Sequence, residues 1–314
     1  MGFIFRLPAY LFFSGLLLVG VQWVQDGQLA ATFPPTGGFV EVDGLKLHYQ
    51  RAGSGPAVLL LHGCPGFLGD YQWTGDGGIS VFEDLALDHT VVAIDRPGYG
   101  WSDNYDDRLT GLEEQADLIP DLLAGLGMAR ATLVGHSYGA SLALATVVRH
   151  PESVEGLVLL GGAVYADGIE PGLLERIAAL PGLGALFSRS VAPVLAPMVK
   201  AGLSEAFAPD EIPPGYEGRF TMYLARPRPL TQRATEIVGL REALRVIEPS
   251  YHAIDVPTTI IVGAMDDPST VENNRRLADT VDDARILVIE NLGHEVAHLR
   301  PALVSGEVRR ITGA

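Results

Sequence analysis

Residues 135–139 read G-H-S-Y-G and follow directly on the apolar run A-T-L-V at 131–134. A G-x-S-x-G pattern after a buried strand predicts a sharp strand-to-helix turn with the serine, here Ser137, exposed at its tip. Gly135 and Gly139 matter because chain segments approach closely in such a turn, and a side chain at either position would crowd them. The pattern therefore constrains the local fold and makes Ser137 a candidate nucleophile.

Two further apolar runs break into glycine-rich turns upstream of this serine. Residues 57–61 read A-V-L-L-L and open into H-G-C-P-G at 62–66. Residues 90–94 read T-V-V-A-I and continue into D-R-P-G-Y-G-W-S at 95–102. Short β-branched or apolar runs ended by Pro and Gly are typical of strands that lead into loops. A backbone amide in the first of these loops is able to face a substrate.

A general base and a carboxylate are needed as well, because a serine hydroxyl alone is a weak nucleophile. The apolar run at 258–262 leads into Asp266 and Asp267, and the run at 285–289 leads into His294. The C-terminal part of the chain thus supplies a histidine and two competing carboxylates for the orienting acid.

Taken in order, H-G-x-P-G, D-R-P-G-Y-G-x-S and G-H-S-Y-G resemble the motifs of the α/β-hydrolase superfamily, in its serine-nucleophile branch with a helical cap. The resemblance covers about residues 39–312. It implies an α/β fold with a mostly parallel eight-stranded sheet, helices on both faces and a helical cap inserted at about 166–250. The chain order Ser137, Asp266, His294 is the order found in this fold.

The resemblance also implies roles for individual residues. It favours Asp266 as the acid, and Asp267 then serves to cap the helix that follows it. The oxyanion hole would be formed by the backbone N–H groups of Cys64 and Tyr138. Epoxide hydrolases and haloalkane dehalogenases of this fold carry aspartate at the elbow, so Ser137 disfavours both activities.

The expected activity is hydrolysis of a small hydrophobic carboxylic ester through an acyl-enzyme on Ser137. The same three side chains also support acyl transfer or hydrolysis of a carbon–carbon bond. A ligand-binding receptor on a hydrolase scaffold is a third alternative, from a different class. The motifs leave the acyl length, the alcohol and the oligomeric state open.

Secondary structure follows the hydrophobic pattern. The predicted strands lie at residues 39–52, 57–62, 90–95, 131–136, 154–161, 258–263 and 285–290. Helices are predicted at 111–126 and 138–149, the second ending before Pro151. Most strands are continuous apolar runs, as a parallel sheet covered on both faces requires.

The expected cap contains an apolar stretch at 171–200 that prolines divide into short helices. Apolar side chains there are candidates for an acyl pocket, which favours a hydrophobic substrate. These candidates are Leu183, Leu186, Phe187, Val191, Leu195 and Met198.

The net charge of −16 disfavours nucleic acid as a partner, because an acidic surface repels phosphates. The single cysteine excludes an internal disulfide. No Cys or His motif with metal-ligand spacing is present, and the chemistry requires no cofactor.

The N-terminal segment predicts a membrane location. Residues 7–24 carry no charged side chain and would span about 27 Å as a helix, near the thickness of a bilayer core. We therefore expect a transmembrane anchor or signal segment at 1–31, a linker at 32–38 and the hydrolase domain at 39–314. With Arg6 on the cytoplasmic side, the anchored catalytic domain would be exported. Secretion after cleavage of a signal peptide is the alternative.

Overall fold

The computed structural model describes residues 20, 23–75, 77–103, 111–192, 196–224 and 226–314. An eight-stranded sheet lies at the centre of the molecule. Its strands, in chain order, are β1 (Gly38–Val42), β2 (Leu45–Ala52), β3 (Ala57–Leu61), β4 (Thr90–Ile94), β5 (Ala131–His136), β6 (Val154–Leu160), β7 (Thr258–Gly263) and β8 (Arg285–Ile289).

The order of strands across the sheet is β1-β2-β4-β3-β5-β6-β7-β8. The pairings β1–β2 and β2–β4 are antiparallel, and the other five are parallel. The predicted fold class, a mostly parallel eight-stranded sheet, is therefore confirmed. Because β3 and β5 are neighbours, the loop after β3 lies next to the turn after β5.

One strand prediction needs correction, because residues 39–52 form a hairpin and not a single strand. Asp43 and Gly44 separate β1 from β2, and both have positive φ, 48° and 74°. An Asp-Gly pair with positive φ at both positions is the two-residue turn that best matches the twist of an antiparallel pair.

Helices lie on both faces of the sheet, α3 and α4 on one and α2 and α12 on the other. In chain order, the described helices are α1 (23–32), α2 (Val81–Leu85), α3 (Leu112–Gly125), α4 (Tyr138–Arg149), α5 (Leu173–Ala178), α6 (Leu183–Val191), α7 (Ala196–Phe207), α8 (Tyr216–Leu224), α9 (Pro227–Ile247), α10 (Pro268–Thr280), α11 (Val296–Leu299) and α12 (Pro301–Thr312). Both predicted helices, α3 and α4, are present to within one residue at each end.

The core is divided by the sheet into two layers, as alternation along a strand requires. In β3, Leu59 and Leu61 pack into the layer that contains α3 and α4. Val58 and Leu60 pack into the opposite layer, with α2 and α12. All four side chains are fully buried, which explains why this strand is a continuous apolar run.

The chain between β6 and β7 forms the cap, which comprises α5 to α9. All five helices lie inside the segment predicted at 166–250. The stretch at 171–200 contributes short helices, α5, α6 and the start of α7, in place of one long helix. The longest cap helix, α9, packs against α3 and α4 and so joins the cap to the core.

The predicted membrane anchor at 7–24 is not supported and is corrected here. Most of that range lies outside the described residues. In the described part of the chain, no helix has the length and apolar character that crossing a bilayer requires. The described helical residues 23–32 span about 15 Å, include Asp26 and bury Leu29 in a cluster with cap residues. The exported location and the signal-cleavage alternative rested on the same segment and lose that basis.

Candidate active site

The turn from β5 to α4 places Ser137 in an unusual backbone conformation. Its φ is 54° and its ψ is −115°, at the N-cap of α4. A positive φ at a residue other than glycine is strained and persists only where the surrounding structure holds it, often at functional sites. A Cβ atom on Gly135 would lie 2.2 Å from the Gly139 carbonyl oxygen, and one on Gly139 would lie 2.0 Å from that of Leu61. The two glycines are therefore sterically required.

The histidine and one carboxylate predicted from sequence meet in the structure. His294 Nδ1 lies 2.8 Å from Asp266 Oδ2, and the Asp266 side chain is only 6% exposed. Because a carboxylate accepts, Nδ1 carries the hydrogen of this bond, and Nε2 is left as the basic nitrogen. Gly161 leaves room for the pair, since a Cβ there would lie 3.1 Å from Asp266 Oδ2.

Electrostatics favour a more basic imidazole at His294 than in water. Burial alone would lower the pKa of His294, but the hydrogen bond and the charge of Asp266 outweigh it and raise the pKa above its ordinary value. Glu295 adds a second negative charge that acts in the same direction.

Asp267 has a different place. Its Oδ1 accepts a hydrogen bond from the Ser269 amide at 2.8 Å, so it caps the N-terminus of α10 as the sequence predicted. The Ser269 hydroxyl and amide lower the pKa of Asp267. Asp266 is thus the carboxylate bonded to His294, and Asp267 is the helix cap.

A cavity of about 370 Å³ brings the predicted site residues together. Ser137, His294 and Cys64 all line it. Burial raises the pKa of the Cys64 thiol, and its Sγ lies 3.2 Å from the Tyr99 hydroxyl. A protonated thiol is a poor nucleophile, so the Cys64 side chain is a poor candidate for the attacking group. Tyr138 is the first residue of α4, where N–H groups have no intrahelical acceptor.

The cap forms the apolar wall of this cavity, but mostly with residues that the sequence did not single out. Of the five candidates that the structure describes, only Met198 lines the cavity. Leu183 and Leu186 are 65% and 54% exposed, and Leu195 lies outside the described residues. The apolar side chains that do line the wall, besides Met198, are Val199, Leu203, Ala206, Phe220, Leu224 and Leu230.

Two polar neighbours of His294 were also missed. His136 lies with its ring 4.7 Å from the His294 ring, and its Nε2–H donates to the His294 carbonyl at 3.0 Å. Burial lowers the pKa of His136 to about 4, so this imidazole is neutral near pH 7. His136 thus helps to orient the loop that carries His294.

Glu295 lines the cavity beside the histidine and is almost completely buried. Burial would raise its pKa, but the imidazoles of His136 and His298 outweigh that effect and lower the pKa to about 2. His298 Nδ1 lies 2.9 Å from Glu295 Oε2. The His298 ring is almost fully buried and packs against Phe207 and Tyr216 of the cap.

A metal site is not formed by the residues that the structure describes: none of their His, Cys, Asp and Glu side chains form a group of three or more able to hold an ion. What the site offers is a strained serine, an imidazole paired with a buried carboxylate, and an apolar cavity between them and the cap. This is the arrangement of an α/β-hydrolase site.

Sequence comparison assigns the family directly. The sequence model of the alpha/beta hydrolase family matches residues 58–307, so the chain belongs to that family and is a hydrolase. Among curated relatives, 2-hydroxymuconate semialdehyde hydrolase from Pseudomonas sp. (strain CF600) is 28% identical over 267 residues. That match covers 83% of this chain and 88% of the relative.

Solved structures share the fold at lower identity. An esterase from Exiguobacterium antarcticum superposes with a TM-score of 0.69 and 22% identity, covering 89% of this chain and 100% of its own. The epoxide hydrolase CorEH has a TM-score of 0.72 and 20% identity, covering 88% of this chain and 98% of its own. Hydrolases of different reaction types thus share this architecture, so the reaction must be argued from the site.

Proposed function

We propose that the protein is a serine hydrolase that cleaves a hydrophobic carboxylic ester through an acyl-enzyme on Ser137. The observation that carries the proposal is that Ser137, in its strained turn, and His294, paired with buried Asp266, line the same cavity. In this proposal His294 is the general base and Asp266 is the acid that orients it.

Acylation begins with attack of the Ser137 hydroxyl oxygen on the ester carbonyl carbon, while His294 Nε2 takes the hydroxyl proton. The new C–O bond places the electron pair of the carbonyl on its oxygen. When this pair returns, the ester C–O bond breaks, and the imidazolium gives its proton to the departing alcohol. Asp266 stabilises the imidazolium throughout, because it keeps its negative charge and its bond to Nδ1.

Two backbone N–H groups, those of Cys64 and Tyr138, are proposed to bind the developing oxyanion. The loop that carries Cys64 lies against the elbow: a Cβ on Gly63 would be 3.3 Å from Ser137 Cβ. Each such donor is typically worth about a hundredfold to a thousandfold in kcat.

Deacylation repeats the same steps with water. His294 takes a proton from water as the water oxygen attacks the acyl carbon. The bond between the acyl carbon and Ser137 Oγ then breaks, and the imidazolium gives its proton to Oγ. The products are a carboxylic acid and an alcohol, and no step requires a cofactor.

The cavity wall supports a hydrophobic substrate. Cap side chains such as Val199, Leu203 and Phe220 face the acyl group across a space of about 370 Å³. Arg233 and Glu175 also reach the wall, and they form an ion pair at 2.9 Å. Because the two charges offset each other, they leave the wall without a strong net field.

Hydrolysis of a carbon–carbon bond is a second candidate. It is favoured by the match, across most of both chains, to 2-hydroxymuconate semialdehyde hydrolase. Ser137 Oγ would then attack the aldehyde carbonyl carbon while His294 takes the hydroxyl proton. When the carbon–carbon bond breaks, its electron pair leaves as a carbanion in place of an alkoxide, and the imidazolium gives it the proton.

A substrate panel separates the two activities. We would measure turnover of the full-length protein on p-nitrophenyl esters with acyl chains from acetyl to dodecanoyl, beside 2-hydroxymuconate semialdehyde. Multiple turnovers on esters, with kcat/KM dependent on acyl length, support the esterase and define its pocket. Turnover confined to the semialdehyde favours carbon–carbon hydrolysis. A single stoichiometric burst, or none, contradicts both.

The proposed base also predicts a pH profile. His294 must be neutral to accept the proton, so kcat/KM should rise with pH as the imidazole loses its own. Because Asp266 raises the pKa of His294, the midpoint of the rise is expected above the ordinary value of about 6.5. Measuring kcat/KM from about pH 5 to 9 checks this. A flat profile, or a midpoint below the ordinary value, would contradict the role of His294 and Asp266.

A further inference from the structure

A fully buried arginine lies behind the proposed oxyanion hole. Arg96 follows β4, and its side chain has no exposed surface. Its guanidinium donates to Glu236, to Gln115 and to the backbone carbonyls of His62 and Gly63. In the sequence, this arginine is simply part of the Pro/Gly turn at 95–102.

We propose that Arg96, held by Glu236 of the cap, is a positioning residue that aims the Cys64 N–H at the oxyanion. The proposal rests on the serine hydrolase function proposed above and adds to it the reason why the oxyanion donor points into the cavity.

Two side chains hold the Gly63 carbonyl oxygen. Arg96 Nη2 donates to Gly63 O at 2.8 Å, and His62 Nδ1 lies 2.8 Å from the same oxygen. The Arg96 amide donates to His62 Nε2 at 3.0 Å, so Nε2 is the acceptor and Nδ1 carries the hydrogen. Burial lowers the pKa of His62 to about 3, which keeps this neutral tautomer. Both lone pairs of the carbonyl oxygen are therefore used.

The position of the Gly63 carbonyl also sets the direction of the Cys64 N–H, because both belong to one planar peptide. The Gly63–Cys64 peptide is trans, and in a planar trans peptide the C=O and the following N–H point in opposite directions. Fixing Gly63 O toward Arg96 therefore fixes the Cys64 N–H toward the opposite side. Gly63, Cys64 and Ser137 all line the cavity.

The same guanidinium contacts the residue of the second donor. Arg96 Cζ lies 4.5 Å from the centre of the Tyr138 ring, a distance typical of a cation–π contact. One side chain thus braces both residues whose backbone N–H groups are proposed to bind the oxyanion.

Glu236 makes this arrangement dependent on the cap. It lies on α9 and receives Arg96 Nη1 at 2.6 Å and Nη2 at 3.2 Å. Tyr99, Gln115 and Gln232 donate to the same carboxylate at 2.7, 2.7 and 3.0 Å. A buried ion pair adds little stability compared with apolar packing, whereas a fully bonded one specifies geometry. Precise positioning explains this network better than stability does.

The test uses full-length variants with conservative changes. Arg96→Lys keeps the charge but loses the forked geometry. Glu236→Gln keeps the shape but removes the charge that holds Arg96. Tyr99→Phe removes one donor to Glu236, together with the hydroxyl that contacts Cys64 Sγ. Arg309→Lys is the matched control, because Arg309 binds Asp84 and Asp88 between α12 and α2, away from the cavity.

We expect Arg96→Lys and Glu236→Gln to lower kcat by about tenfold to a hundredfold, less than complete loss of a donor would. KM should stay within about twofold, because the oxyanion forms only after binding. The pH midpoint should not move, since His294 and Asp266 are untouched. Affinity for a trifluoromethyl ketone, which forms an oxyanion on the serine, should fall in parallel with kcat/KM. Tyr99→Phe should show a smaller loss, and Arg309→Lys none.

The outcomes separate this inference from the proposed function. If the wild-type protein shows no turnover that depends on Ser137, the proposed function fails. If the wild-type protein does show turnover that depends on Ser137, but folded Arg96→Lys and Glu236→Gln keep the wild-type kcat and inhibitor affinity, the positioning role is overturned. A loss confined to KM, or equal in Arg309→Lys, overturns it too. Should Arg96→Lys not fold, Glu236→Gln and the milder Tyr99→Phe decide by the same criteria.

Discussion

Replacing Ser137 with alanine is expected to lower kcat by about 10⁶-fold, to the level left by binding and the oxyanion hole alone. The reason is that the proposed chemistry passes through a covalent bond to Ser137 Oγ. Among the described residues that line the cavity, none besides Ser137 carries a hydroxyl, and burial raises the pKa of the Cys64 thiol. Alanine fits the turn, so the fold should persist. Steady-state turnover and thermal unfolding of the purified variant measure both.

The matched control is Ser141→Ala. Ser141 lies one turn further along α4, is fully buried and donates to the Ala163 carbonyl, away from the cavity lining. It should retain most of the wild-type kcat while losing some stability. Retained activity in Ser137→Ala, or an equal loss in both variants, would remove the central proposal.

The second large effect is expected for Asp266→Asn, at about 10⁴-fold in kcat. An amide donates as well as accepts, so it permits the tautomer of His294 with hydrogen on Nε2, which cannot take the serine proton. The loss of negative charge should also lower the pKa of His294 and move the remaining pH profile to lower pH.

The comparison variant is Asp267→Asn, one residue further along the chain. Asparagine is about as good a helix N-cap as aspartate, so its kcat should stay within about threefold of wild type. The ratio of kcat between the two variants is the measurement. If Asp267→Asn were the more damaging change, the assignment of the acid would be reversed.

Most of the sheet was predictable because its strands are buried on both faces and their sequences are continuous apolar runs. The hairpin of β1 and β2 was predicted as one strand. Its two halves share the same alternating pattern, and the Asp43-Gly44 turn occupies only two residues. The Asp-Gly pair is itself a sequence signal for a two-residue hairpin turn, and the prediction of one strand overlooked it.

The candidate site was predictable for a related reason. Ser137, Asp266 and His294 each follow the carboxyl end of a strand, and parallel neighbouring strands bring those ends to one edge of the sheet. The choice between Asp266 and Asp267 differs in kind. Adjacent carboxylates are equivalent in a pattern, and the structure separates them by their partners, His294 for one and the helix α10 for the other.

The cavity wall could not be predicted. The spacing of apolar residues in the cap helices does not say which of them face the serine. Leu183 and Leu186 lie on an exposed surface, while Phe220 and Leu224 of α8 line the cavity. The membrane segment was predicted because residues 7–24 carry no charged side chain. In the structure, the described helix at 23–32 buries Leu29 against residues of the cap.

The sequence by itself located most of the strands and the serine turn, and it indicated the residues proposed here as acid and base. These depend on local steric and hydrophobic patterns that a short segment contains in full. Only the tertiary structure decided what encloses the site and what holds its backbone donors. Arg96 and Glu236 lie 140 residues apart and are joined by packing of a cap helix on the core, which no local pattern records. Their contact exists because burying both charges is tolerable only when every polar atom finds a partner.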